Sequence, residues 1–147
     1  MDADVPVLRE AVGEMVRLIV DGSELVVLPR RWERIATGVG AERLLLDDVD
    51  RVEVQAAPWR CLRGEREHGI SIPDVVWLGT WRHPFGLDLV AVRPRRGPCL
   101  QVDFRPKGRF ARIALTVPEP EALGEELAAL LGPGITFQGR WVGSSGG

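Results

Sequence analysis

The chain is expected to form a mainly β fold with one C-terminal α-helix: a small barrel or sandwich whose opening the helix covers. Three observations carry that expectation. Between 87 and 117, three apolar runs with strand periodicity follow one another. Residues 119–131 then place Leu123, Leu127, Leu130 and Leu131 at three- and four-residue spacing, the stripe of an amphipathic helix. Near the N-terminus, Asp21-Gly22 separates two short apolar runs, as a tight hairpin requires.

Taken in order, residues 14–20 alternate, and 24–28 return through Leu25-Val26-Val27-Leu28 before Pro29. Residues 30–36 read as a short helical turn, with Trp32 and Ile35 on one side and Gly38 and Gly40 ending it. A brief strand over 43–46 leads to a turn at Asp47-Asp48. Along 49–55, Val52 and Val54 oppose Arg51, Glu53 and Gln55, so Val49 is expected in the turn. Residues 58–69 read as a polar, solvated connection built around Trp59 and Leu62. The chain resumes at 70–81, and Pro73 keeps the centre of a sheet away from that point, because proline lacks an N–H for the ladder.

Residues 83–86 make a turn. Strands follow at 87–92, 100–104 and 110–117, separated by the turns 93–98 and 106–108. Pro118 stops the last of them. Glu119 and Glu121 put negative charge where a helix N-terminus favours it, and Gly132-Pro133-Gly134 ends the helix. A final strand within 135–141 and a flexible tail at 143–147 complete the reading. With no repeat and no linker, one domain is expected: an N-terminal segment over 1–11, the folded unit over 12–131 and an extension over 132–147.

Composition sets the class. The 147 residues, 45% hydrophobic and 27% charged, suit a soluble globular domain. No apolar run approaches the about 20 residues that span a bilayer, and the acidic Met1-Asp2-Ala3-Asp4 start does not resemble a secretory signal. A cytoplasmic location is therefore expected. There Cys61 and Cys99 read as structural thiols, with a disulfide between them left open. The net charge of −2 is uneven: residues 82–112 hold seven Arg and Lys107 against Asp88 and Asp103, between acidic flanks.

Several features together resemble bacterial pleckstrin-homology-like domains, particularly those of uncharacterised actinobacterial proteins. They are Leu25-Val26-Val27-Leu28, Gly79-Thr80-Trp81, Val90-Ala91-Val92 and the run from Thr116 through Val117-Pro118-Glu119-Pro120-Glu121 to Leu123. The resemblance covers most of 12–131 and implies a seven-stranded, strongly bent antiparallel barrel capped by the C-terminal helix. Members that bind phosphoinositides do so through Lys and Arg on the first hairpin. Here that turn is Asp21-Gly22-Ser23, which lacks those cations.

No run of residues announces catalysis. His68 and His83 lie in polar loops without the ligand spacing of a zinc site, and no serine stands in a nucleophile elbow. Asp47, Asp48 and Asp50 suit a turn better than acid–base chemistry, and the glycine pairs do not fit a phosphate loop. A small-molecule enzyme would need a pocket joining His83, Asp88 or Arg93. The expected function is a non-catalytic interaction module with no cofactor or metal, binding a protein partner or itself. A sheet edge, or a face carrying Trp77 and Trp81, would make the contact.

The alternative is an anion-binding module for an anionic lipid surface, with nucleic acid disfavoured by the acidic balance. It would use Arg93, Arg95 and Arg96 on one turn, or Arg105, Lys107 and Arg109 on the next. The two turns are expected at opposite ends of the sheet, which argues against one joint site.

Overall fold

The computed structural model describes residues 7–12, 16–38, 40–106, 108–131 and 136–138. Strands β1 (Val7–Val12), β2 (Arg17–Asp21), β3 (Glu24–Leu28) and β4 (Glu42–Leu45) form an antiparallel sheet in that order. The hairpin at Asp21-Gly22 forms as expected, with Gly22 at φ 64°, a conformation that glycine adopts without strain. Strand β1 begins inside the segment that was expected to precede the domain.

Between β3 and β4 lies α1 (Arg31–Thr37), which packs on one end of the second sheet. Its expected apolar side faces solvent: Trp32 and Ile35 are exposed, whereas Glu33 is buried. The Glu33 carboxylate accepts the Arg30 backbone N–H at 2.6 Å and so caps its own helix from within.

The second sheet contains β5 (Val49–Gln55), β6 (Glu65–Ile72), β7 (Val76–His83), β8 (Gly86–Val92), β9 (Cys99–Phe104), β10 (Phe110–Leu115) and β11 (Thr136–Gln138). Their spatial order is β11-β5-β9-β10-β8-β7-β6. Strand β10 runs parallel to β8, and β11 runs parallel to β5; the other neighbours are antiparallel. The sheets therefore do not close into the expected antiparallel barrel. Two connections explain why. The 93–98 turn steps past one position, so β10 inserts between β8 and β9. The 56–64 connection carries the chain from β5 across the sheet to its far edge, leaving β6 and β11 at opposite ends.

Two further expectations are corrected, and one is met. Val49 opens β5 rather than lying in the turn: a bulge between Val49 and Arg51 rotates it to the apolar side, where it is buried. Residues 65–69, read as solvated connection, belong to β6. As expected, Pro73 stays out of the ladder: with Asp74 it lies in the β6–β7 turn.

The main core lies between the two sheets and under α2 (Pro120–Leu131). It joins Leu18, Val20, Leu25 and Val27 of the small sheet to Leu78, Leu89, Leu100, Ile113 and Leu115 of the large one. From α2, Leu123 and Leu127 enter this core and Leu131 packs against it; Leu130, expected in the stripe, is exposed. The opposite face of the large sheet is also buried. There Trp77, Trp81, Val90, Val92, Cys99 and Ala114 form a second cluster with Cys61 and Leu62 of the 56–64 crossover.

Candidate functional site

A strand covered on both faces reads as an unbroken apolar run, and β8 does so except at Asp88. Alternation places Asp88 on the crossover side, where it is fully buried. An isolated carboxylate there would be unstable, so its partners define the site. Arg63 Nε donates to Asp88 Oδ2 at 2.6 Å, and Arg63 Nη2 donates to Oδ1 at 3.1 Å, a two-pronged geometry matched to a carboxylate. His83 Nε2 lies 2.8 Å from Asp88 Oδ1, and the Phe85 backbone N–H donates to His83 Nδ1 at 3.1 Å. That second bond places the ring proton of neutral His83 on Nε2, so the imidazole donates to Asp88.

The crossover meets the strands beneath it in their spatial order. Over β9, Cys61 Sγ lies 2.9 Å from Cys99 Sγ. Over β10, Arg112 Nη1 donates to the Cys61 carbonyl at 3.2 Å while its Nε holds Asp103 at 2.6 Å. Over β8, Arg63 reaches Asp88. At β7, Gly64 lies so close to the backbone that an added Cβ would stand 2.1 Å from the Arg82 carbonyl oxygen. Beyond the crossover, the same face continues as a polar lattice through Arg51, Glu53, Gln55, Gln101 and Asp103.

Where the crossover joins β6, an open recess of about 480 Å³ is bounded by residues 64–67, Arg82, His83 and Pro84. Glu67 and Arg82 form a two-bond ion pair at 3.2 Å on its exposed wall. His83 and Asp88 do come together, as an enzyme reading would require, but with Arg63 rather than Arg93. Both His83 nitrogens are engaged, one by Asp88 and one by the Phe85 N–H, so the imidazole presents no free base to the recess. Among the described residues, no group of three or more His, Cys, Asp or Glu is arranged to hold a metal.

The expected site residues are placed as follows. Trp77 and Trp81 share one face of β7, but at 8% and 5% exposure they lie beneath the crossover and present no contact surface. Arg95 and Arg96 are exposed on a 3-10 turn, and the Arg93 backbone N–H is tied to Thr116 Oγ1 at 2.8 Å. Arg105 donates to the Asp47 carbonyl at 2.6 Å. Arg109 pairs with Glu42 at 2.6 Å and lies over the Phe110 ring. Lys107 lies outside the described residues. The two turns flank opposite ends of β9 and do not converge, as the sequence suggested.

The other exposed feature is the edge. Among the described strands β6 pairs only with β7, and six of its eight residues are exposed. Ile72 and Val75, at the tip of the β6–β7 hairpin, are exposed, as are Trp32 and Ile35 on α1, which packs against the same two strands.

No protein-family model matches this chain, and no curated protein or solved structure is significantly similar to it. No helix among the described residues is long and apolar enough to cross a membrane.

Proposed function

We propose that this chain is a non-catalytic interaction module that accepts an extended segment of a protein partner on the open edge of β6. One observation carries the reading: an eight-residue strand stands at the edge of a seven-stranded sheet with one side of its backbone unpaired by any described strand. Such an edge offers a row of N–H and C=O groups to an incoming strand, while side-chain contacts supply selectivity. The apolar side chains of Ile72 and Val75 lie at one end of that edge. The buried His83–Asp88–Arg63 cluster fits a structural role, since its hydrogen bonds are made within the fold. A kinship with pleckstrin-homology-like domains rests on the helix seated over a sheet. The two parallel strand pairs set the chain apart from an all-antiparallel barrel.

The test has two arms. Light scattering across a concentration series reads self-association, and selection of displayed extended peptides reads binding of a foreign segment. Ile72→Lys, at an exposed position, is expected to weaken either by at least tenfold while leaving the fold intact. A monomer at high concentration that selects no peptide sensitive to Ile72→Lys contradicts the proposal.

A second reading draws on the exposed Arg95 and Arg96. Binding to vesicles rich in anionic lipid at low salt, lost in Arg95→Ala/Arg96→Ala, would support an anionic-surface module. Absence of binding at low ionic strength removes it.

A further inference from the structure

Independently of the β6 reading, we infer that Cys61 and Cys99 are a disulfide-forming pair, which locks the 56–64 crossover onto the large sheet in the presence of a small-molecule disulfide. They are the only cysteines in the chain, 38 residues apart and on different elements, and the fold brings their sulfurs to 2.9 Å. Both residues are fully buried. Cys99 is fixed in a central strand opposite Gln55, and Cys61 ends a 3-10 turn whose carbonyl is held by Arg112. Neither partner has to search for the other.

The location gives the bond a consequence. Cys61 is where the crossover meets β9, two residues before Arg63 grips Asp88. A covalent tie there holds the cover over Trp77, Trp81, Val90 and Ala114. Without it, the Arg63–Asp88 ion pair, the Arg112–Cys61 hydrogen bond and the apolar packing of Cys61 and Leu62 hold the cover non-covalently. The hydrogen bond to Cys99, together with burial, raises the Cys61 thiol well above the ordinary range, so in the closed state it stays protonated and unreactive. Exchange therefore follows local lifting of the crossover, and its rate reports that opening.

The chemistry balances with oxidised glutathione. One cysteine loses its proton to solvent and attacks a glutathione sulfur; the glutathione S–S bond breaks, and one glutathione thiolate leaves. The second cysteine, likewise deprotonated, attacks the protein-bound sulfur of this mixed disulfide and releases the other glutathione thiolate. Two protein thiols become one disulfide, two electrons pass to glutathione, and the two released thiolates take up the two protons.

The experiment uses the full chain with excess oxidised glutathione, followed by thiol titration in denaturant, non-reducing electrophoresis and peptide mass analysis. Expected are loss of both thiols together, a monomeric band, and a linked 61–99 peptide pair lighter by two hydrogens. The thermal midpoint should rise by about 10 °C, reversibly with dithiothreitol, from closure of a loop of this length. Cys61→Ser and Cys99→Ser should show no such rise. Arg63→Ala should oxidise at least about tenfold faster, because its crossover lifts more readily. Two titratable thiols persisting in oxidised Arg63→Ala would overturn the inference, as would glutathione adducts or intermolecular dimers in place of the internal bond.

Discussion

Arg63 and His83 grip the same buried carboxylate from opposite elements, Arg63 Nε 2.6 Å from Asp88 Oδ2 and His83 Nε2 2.8 Å from Asp88 Oδ1. The arginine comes from the crossover and the histidine from β7, so Asp88 is the point where the cover is fastened to the sheet. Removing one partner of a buried charge leaves the other poorly compensated, and here the Asp88 side chain is fully buried while that of Arg63 is partly exposed. Arg63→Ala is expected to destabilise by about 2–4 kcal/mol in chemical denaturation. Combined with Asp88→Asn, it should cost clearly less than the sum of the two single changes. A loss below about 0.5 kcal/mol, typical of a surface position, would deny the fastening role.

Gly69 and Gly79 face each other across β6 and β7, with φ of 111° and 154°. A Cβ on Gly79 would stand 2.0 Å from the His68 carbonyl oxygen, and one on Gly69 would stand 2.0 Å from the Leu78 carbonyl oxygen. Neither contact can be relieved by a side-chain rotation, because the obstacle is backbone. Gly79→Ala should therefore cost about 3 kcal/mol or more and loosen β6 selectively. Amide exchange that accelerates in β6 before β9 would show this. A near-neutral Gly79→Ala contradicts the close approach.

Glu33 provides a pH signature. Burial raises its pKa above the ordinary 4.5, against the lowering effects of the Arg30 N–H and the Arg30 and Arg93 charges. A carboxyl group raised on folding favours the folded state below its unfolded value. That contribution is lost as pH climbs through the folded value, because the buried group must then ionise. Glu33→Gln keeps the acceptor for Arg30 and removes the titration. Its stability relative to the native chain should improve as pH rises from below 4.5 to neutrality. A difference that is flat, or that moves the other way, contradicts a raised pKa.

Much of this fold was legible in the sequence because its signals are local. The Asp21-Gly22 hairpin, the strands from 87 onward and the helix at 120–131 all follow from periodicity and turn chemistry. Strand β6 was not legible: its first four residues, Glu65, Arg66, Glu67 and His68, are all exposed, so they carry no alternation that separates strand from loop. The order of the large sheet was hidden for another reason. Whether β10 lies beside β9 alone or between β9 and β8 depends on where the 93–98 turn lands, and no residue in that turn encodes the step.

The candidate site had one readable clue, the lone Asp88 in an otherwise apolar strand. Its partner Arg63 lay in a segment whose charges all looked solvated. Trp77 and Trp81 were correctly placed on one face, but which face the crossover would cover is a property of the whole sheet.

The helix supplies a contrast between two leucines three positions apart. Leu127 is buried at 1% exposure and Leu130 stands at 46%. Leu127→Ala should cost about 2–4 kcal/mol, from lost burial and the cavity left behind. Leu130→Ala should fall within about 0.5 kcal/mol of native. Equal losses would mean that α2 is rotated on the sheet.

Residue-resolved amide exchange of the free protein tests the open edge most directly. If β6 is paired only through β7, slow and fast amides should alternate along Glu65–Ile72, interrupted at the bulge between Arg66 and His68, while Val76–His83 stays protected throughout. Uniformly slow exchange along β6 would mean that its outer side is already covered, and uniformly fast exchange would mean that it is not part of the sheet. Either result contradicts a strand-accepting edge.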